Sequence, residues 1–177
     1  MTSKFLAGLT GLIFSTAIAT TLQAKPLIVY FSLTGNTQGI AEAIHQKVGG
    51  DIFRLEAAEP YPDDYKTQTE IAKKELAEGA DRAIKAMPEN LAQYDMVFVG
   101  SPVWWGTMAT PVRTFLRQAD LSGKKVIPFV THGGGGTDES FADTAKLAKG
   151  ATVEMNGWSS FRGHKVGLNS WIDKVTK

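Results

Sequence analysis

The 177-residue chain contains no cysteine. Disulfide frameworks, thiolate zinc sites, thiol nucleophiles and cysteine-ligated iron–sulfur clusters are therefore excluded. The chain also has no excess of charge of either sign, because 19 Lys and Arg face 18 Asp and Glu, giving a formal net charge of +1. A balanced chain without a basic stripe provides no field for nucleic acid, so we expect no nucleic-acid partner. The 18 Gly and seven Pro follow no period, which excludes collagen-like and solenoid sequences.

The first 24 residues differ in character from the rest of the chain. Lys4 is their only charged residue, and an uncharged, largely apolar stretch follows it. This pattern is typical of a secretory signal peptide, and it predicts that residues 25–177 are exported to the periplasm. The small-residue rule fits cleavage after Ala19, whereas Ala24 lies just before the first predicted strand, and the sequence leaves both sites open. The alternative is an uncleaved anchor, in which case residues 1–24 alone contact the membrane.

Residues 25–177 alternate between strand-like and helix-like patterns. Short runs of β-preferring apolar residues predict five strands, at residues 27–31, 51–56, 96–100, 126–130 and 152–155. Apolar residues at helical spacing predict a helix after each strand, including a long polar one at about 64–87. Pro128, inside the fourth strand, lacks a backbone N–H and favours an edge or a bulge. The alternation predicts an α/β fold with right-handed crossovers, in which helices cover both faces of a parallel sheet in three layers.

The loop after the first predicted strand has the composition of a phosphate-binding turn. A ligand of such a sheet binds at the carboxyl ends of the strands. Backbone N–H groups at a helix N-terminus, aided by hydroxyls, hold a phosphate there without a basic side chain. The turn has no Lys, which separates it from a P-loop. The candidate residues are Ser32, Thr34, Gly35, Asn36 and Thr37. The alternative is a simple capped turn, with Asn36 or Thr37 capping the helix.

Two further loops at the same edge have unusual sequences. The loop after the third strand contains adjacent indoles, Trp104 and Trp105, followed by Gly106. The two adjacent indoles cannot both face the core. Large aromatic planes suit a flat conjugated ring, so one of the two Trp residues is a candidate for stacking on such a ring. The alternative is one core Trp and one surface Trp. In the loop after the fourth strand, four Gly follow His132, which allows close backbone approach to a ring. His132 is a candidate ring contact or proton donor, or simply a solvated histidine.

Four motifs together resemble the flavodoxin family, in particular its short bacterial branch. They are Tyr30-Phe-Ser-x-Thr-Gly-Asn-Thr37, Tyr61-Pro-x-Asp-Tyr65, Gly100-Ser-Pro-Val-Trp-Trp-Gly-Thr107 with Thr110-Pro-Val-Arg-Thr-Phe-Leu116, and Pro128-Phe-Val-Thr-His-Gly-Gly134. The resemblance covers nearly all of residues 26–176. It implies a doubly wound, five-stranded parallel sheet of order 2-1-3-4-5 with FMN as cofactor, so that residues 25–177 form a flavodoxin-like FMN-binding domain.

The resemblance also implies which residues contact the cofactor. The five residues of the first turn would hold the phosphate. The flavin ring would be framed by Pro102, Val103, Trp104, Trp105, Gly106, Thr131, His132, Gly133 and Gly134. Flavin supplies the redox chemistry itself, and we find no separate catalytic residue and no metal site in the sequence.

Two classes of function remain open at this point. The first is a redox protein that binds FMN and transfers electrons, either as a carrier or as an NAD(P)H-dependent quinone or other reductase, with its partner or acceptor unspecified. Typical flavodoxins are cytoplasmic and strongly acidic, whereas this chain looks exported and is neutral without Lys4. Because flavin is made inside the cell, the alternative is an exported, flavin-free binding module on the same fold. A hydrolase is disfavoured, since none of the three His lies beside a recognisable nucleophile motif.

Overall fold

The computed structural model describes residues 25–177. The strands are β1 Pro26–Tyr30, β2 Asp51–Arg54, β3 Met96–Trp104, β4 Thr107–Met108, β5 Lys125–His132, β6 Thr152–Val153 and β7 Trp158–Phe161. The helices are α1 Asn36–Val48, α2 Tyr65–Ala77, α3 Thr110–Gln118, α4 Thr137–Leu147 and α5 Leu168–Val175, with a 3-10 turn at Leu91–Gln93. None of the described helices is long and apolar enough to cross a membrane. The signal peptide, its cleavage site and export concern residues 1–24, which lie outside the described residues, and they stay predictions.

The strands form one sheet whose main path is parallel. Its order is β2-β1-β3-β5, and β6 and β7 both pair with the outer edge of β5. The short β4 runs antiparallel to the end of β3. This confirms the predicted α/β fold and the order 2-1-3-4-5. The predicted fifth strand is present as the short β6, and the sequence analysis missed both the hairpin strand β4 and the strand β7.

Helices cover both faces of the sheet because alternate residues of each inner strand are apolar on opposite sides. In β1, Leu27 and Val29 belong to one buried cluster, whereas Ile28 and Tyr30 belong to the other. The first cluster includes the inward face of α3, and the second includes the inward faces of α1 and α5. Burial on both faces is typical of parallel sheets, and it leaves the carboxyl edge of the strands as the open end of the domain.

The long helix predicted at about 64–87 is wrong beyond Ala77, where α2 ends. Gly79 turns the chain with φ +61°, and the following residues pair in extended form with the segment after β2. Ala58 N donates to Ala83 O at 2.8 Å, and Lys85 N donates to Glu56 O at 2.9 Å. Ile84 and the other apolar residues of this stretch pack on the core from an extended segment, so their spacing did not require a helix.

Pro128 lies in β5, inside the sheet rather than at its edge. Glu154 N donates to Val126 O and Arg162 N donates to His132 O, so even-numbered residues of β5 direct their backbone groups towards β6 and β7. Pro128 therefore faces the gap between those two strands. A side chain on Gly157, which crosses this gap, would begin 2.5 Å from Pro128 O. None of the described strands pairs with Pro128 on this side of β5, because β6 has ended and β7 has not yet begun. The missing N–H of Pro128 therefore costs no hydrogen bond between strands.

Candidate functional site

The carboxyl ends of β1, β3 and β5 open into a cavity of about 440 Å3, a size typical of small-molecule sites. Eleven of the predicted site residues line it: Ser32, Thr34, Asn36, Thr37, Pro102, Val103, Trp104, Trp105, Thr131, His132 and Gly133. Three predicted residues lie in the same loops but are not part of the lining: Gly35, Gly106 and Gly134. The sequence analysis missed six lining residues: Leu33, Tyr65, Gln68, Thr69, Ala72 and Arg162.

The turn between β1 and α1 is built as an open helix N-terminus. Gly35 occupies the N-cap position with φ +86°, and its N–H donates to Ser32 Oγ at 3.2 Å. No described side chain caps α1. The alternative in which Asn36 or Thr37 caps the helix is therefore wrong. The Thr37 hydroxyl instead bonds the Thr131 hydroxyl at 2.8 Å in the interior. This bond ties the turn to the end of β5 and leaves the first N–H groups of α1 available to a ligand.

The two Trp residues sit on a tight hairpin rather than a loose loop. Trp104 pairs with Thr107 across β3 and β4. Trp105 and Gly106 form the two-residue turn, with φ of +49° and +85°. Positive φ at both positions is the signature of a type I′ turn, which normally carries Asn or Gly first. Trp105 therefore adopts a backbone conformation that is uncommon for its residue type.

The hairpin gives its two indoles different surroundings. Trp104 is half-buried and packs edge-on against Phe31 and Tyr61, with ring centroids 5.6 and 5.0 Å apart. Trp105 is 55% exposed. Its Nε1 donates to Thr69 O of α2 at 2.8 Å, and Lys73 Nζ lies 4.9 Å from its ring centroid. One Trp thus packs on the core and the other lies at the surface, and both line the cavity.

A polar network lies behind Trp104 and holds Tyr61 in place. The Tyr61 hydroxyl donates to Glu75 Oε2 at 2.7 Å and lies 2.8 Å from Thr110 Oγ1. Glu75 is ion-paired with Arg82, and the two side chains are only 14% and 12% exposed. The Arg82 guanidinium lies 3.9 Å from the Tyr61 ring centroid. Burial raises the pKa of Tyr61 well above its usual value, so the phenol stays protonated and remains a donor to Glu75.

The glycine-rich loop after β5 is shaped by its contact with the hairpin. A side chain on Gly136, where φ is +81°, would begin 2.5 Å from Val103 Cγ1 and 2.6 Å from Gly106 O. The sequence predicted that glycines of this loop allow a close approach to a ring. In the structure the close approach is that of Gly136 to Val103 and Gly106 of the hairpin. His132 Nδ1 accepts from the N–H groups of Gly134 and Gly135 at 3.1 and 3.3 Å. The neutral ring consequently carries its proton on Nε2.

One face of α2 forms the wall that the sequence analysis missed. Its lining residues, Tyr65, Gln68, Thr69 and Ala72, follow the i, i+3, i+4, i+7 spacing of a single helix face. That spacing was available in the sequence, although the face is too polar to be recognised as a packing surface. The helix begins with Asp64, whose Oδ2 accepts from Thr67 N at 2.8 Å. Among the residues that line the cavity, none is Asp or Glu.

The cavity combines an open helix N-terminus with a half-buried indole at the carboxyl edge of a 2-1-3-4-5 sheet. These are the features that suit a phosphorylated, ring-containing ligand. The sequence profile of the flavodoxin family matches residues 25–175, and the chain belongs to that family.

Three comparisons illustrate this membership. An NAD(P)H dehydrogenase (quinone) from Chromohalobacter salexigens is 31% identical over 147 residues, covering 73% of this chain and 70% of that protein. A flavoprotein from Lactobacillus acidophilus, solved in complex with FMN, is 26% identical with a TM-score of 0.69, covering 84% of this chain and 98% of the other. A candidate flavoprotein from Bacteroides eggerthii is 29% identical with a TM-score of 0.75, covering 87% and 99%.

Proposed function

We propose that residues 25–177 bind FMN non-covalently in this cavity and transfer electrons from NAD(P)H to a quinone or another acceptor. The family supports the cofactor, as does the FMN complex of the Lactobacillus acidophilus relative. The reductase activity is supported by the 31% identity to the protein named NAD(P)H dehydrogenase (quinone).

The observation that carries this proposal is the arrangement of the two ends of the cavity. At one end lie the uncapped first turn of α1 and the hydroxyls of Ser32 and Thr34, which suit a phosphate. The other end is lined by Pro102 and the two indoles, which suit a flat apolar ring. No Asp or Glu among the lining residues repels a phosphate. The residues present therefore fit FMN.

Bound FMN supplies the redox chemistry, and the chain's own residues bind and orient it. The turn after β1 anchors the phosphate, and Trp104 and the α2 face exclude water from the ring. His132 holds a proton at Nε2 beside the cavity. Three exposed apolar side chains, those of Leu33, Tyr65 and Trp105, also line the cavity. They offer an apolar surface for a planar acceptor such as a quinone.

The visible spectrum of the purified protein, before and after titration with FMN, tests cofactor binding. Oxidation of NADH and NADPH with and without a soluble quinone then separates a reductase from a carrier. We expect a bound flavin spectrum and quinone-dependent oxidation. A protein that neither carries nor binds FMN would contradict the proposal and favour the flavin-free binding module. If the protein binds FMN but reduces no quinone, it is an electron carrier rather than a reductase.

Replacing Thr34 by alanine is expected to weaken FMN binding about tenfold or more, because a hydrogen bond to a charged group contributes about 1.5 to 3 kcal/mol. Riboflavin, which lacks the phosphate, should lose far less affinity. Thr152→Ala, an exposed threonine on β6 at the opposite end of the sheet, is the matched control and should change neither ligand. Titration of intrinsic fluorescence with each flavin measures both affinities. Equal losses for the two ligands would show that Thr34 does not contact the phosphate.

A further inference from the structure

The segment after β7 brings a basic side chain to the cavity. Arg162 N donates to His132 O at 3.0 Å, so this segment leaves the sheet at the same edge as the loop after β5. A side chain on the next residue, Gly163, would begin 3.3 Å from Asn36 O. The backbone around Arg162 is thus held between the end of β5 and the turn that starts α1, and Arg162 itself lines the cavity.

Arg162 is the one Lys, Arg, Asp or Glu among the residues that line the cavity. Within residues 25–177, none of the ion pairs includes it. Its guanidinium lies 5.1 Å from the centroid of the Phe161 ring, a contact that does not neutralise its charge. A cation without a carboxylate partner, facing a cavity without acidic residues, is available to an anion.

The backbone of Arg162 is not what its residue type prefers. Three non-glycine residues of the described chain have positive φ, and two of them, Trp105 and Arg162, line the cavity. Arg162 has φ +51°, a left-handed conformation that glycine adopts freely and arginine does not. Replacing Arg162 by glycine therefore removes the charge while easing the local backbone, which allows binding and folding effects to be separated.

We propose that Arg162 binds the phosphate of FMN, an inference that rests on the proposed function. A phosphate monoester carries about 1.5 to 2 negative charges near neutral pH. The N-terminus of α1 offers only about half a positive charge, and the hydroxyls of the turn are neutral. A guanidinium supplies the missing charge together with paired N–H donors that match phosphate geometry. The sequence predicted a turn that needs no basic side chain, and the fold adds one from a distant part of the chain.

The test compares FMN and riboflavin affinities of the wild type, Arg162→Gly, Arg162→Lys and Lys149→Gln. Lys149 is an exposed cation just beyond the end of α4, at the opposite edge from the cavity, and serves as the charge-matched control. For Arg162→Gly we expect FMN affinity to fall about tenfold or more, riboflavin affinity to change by less than about twofold, and the unfolding temperature to stay level or rise. Arg162→Lys should keep part of the FMN affinity, and Lys149→Gln should match the wild type.

Ionic strength provides a second measurement. The ratio of wild-type to Arg162→Gly affinity for FMN should shrink between about 0.01 and 0.1 M salt, because the Debye length falls from about 30 to 10 Å. Equal losses of FMN and riboflavin would assign Arg162 to the ring or to cavity shape and overturn the inference. Unchanged FMN binding with a raised KM for NADPH would assign the cation to the dinucleotide and also overturn it. Wild-type protein that binds neither flavin would refute the proposed function, whereas FMN binding that Arg162→Gly leaves intact would refute this inference alone.

Discussion

A Glu75→Gln variant is expected to unfold about 6 to 12 °C below the wild type. The substitution keeps the shape of the side chain but leaves the Arg82 guanidinium, only 12% exposed, without its carboxylate. It also places amide donors beside the Tyr61 hydroxyl, which needs an acceptor. Breaking a buried ion pair costs about 3 to 5 kcal/mol, and the residual exposure of the pair favours the lower end. About 3 kcal/mol corresponds to this temperature shift in a chain of this length.

Thermal unfolding by circular dichroism measures the effect, and Glu78→Gln is the matched control. Glu78 lies just after α2 in an exposed pair with Lys74 at 3.9 Å, so its loss should cost less than about 0.5 kcal/mol. The loss of unfolding free energy in a Glu75→Gln, Arg82→Gln double variant should be smaller than the sum of the losses in the two single variants by at least about 1 kcal/mol, because the two side chains interact. If Glu75→Gln and Glu78→Gln unfold alike, the ion pair does not stabilise the domain.

The two Trp residues are expected to respond very differently to replacement by alanine. Trp104→Ala should cost about 2 to 3 kcal/mol of stability, somewhat less than for a fully buried Trp, because it removes a half-buried ring packed on Phe31 and Tyr61. Trp105→Ala should cost only about 1 kcal/mol, since it removes one exposed hydrogen bond to Thr69 and one cation–π contact with Lys73.

The same pair of variants tests the ring end of the proposed FMN site. Adding FMN to the wild type should quench Trp emission. Trp104→Ala should weaken FMN binding by the aromatic contact of about 0.5 to 1.5 kcal/mol plus the lost burial. Because an electron-rich indole disfavours reduced, anionic flavin, this variant should also raise the potential of the second electron. The Trp104→Phe variant, which keeps an aromatic ring, should have an FMN affinity and a flavin potential between those of the wild type and Trp104→Ala.

Titration with FMN and then with dithionite measures affinity and potential on the same sample. A larger loss of FMN affinity in Trp105→Ala than in Trp104→Ala would make Trp105 the ring contact. If neither variant differs from the wild type in affinity or potential, the two indoles serve packing alone, and the ring must bind elsewhere in the cavity.

The inner strands and the position of the site could be predicted because both depend on local patterns. The continuous apolar run of Leu27 to Phe31 favours a strand covered on both faces, and the structure has the buried strand Pro26–Tyr30 there, followed by the buried Phe31. Once strands and helices alternate, the carboxyl ends of the strands must share one edge. Thr34, in the turn after β1, and Trp104 and His132, the last residues of β3 and β5, consequently meet there.

The stretch after Ala77 could not be predicted correctly, because its apolar spacing is compatible with two structures. Ala80, Ile84 and Met87 can form one helix face or can lie on an extended segment. In the folded protein, antiparallel pairing between Ala57 and Ile84 stabilises the extended form. Such a pairing joins segments that are distant in sequence, so no local pattern reveals it.

The sequence by itself determined the order and type of the main elements and the hydroxyl-rich, aromatic and glycine-rich character of the three loops, because these follow from hydrophobic periodicity and residue geometry within a few positions. Tertiary structure alone decided which groups meet. The bond between Thr37 and Thr131, the packing of Gly136 on the hairpin and the placing of Arg162 beside the α1 turn all join residues far apart in the chain. These contacts exist only once the sheet has assembled and the helices have closed over it, since chain segments with no local preference for each other are brought together by burial of the shared core.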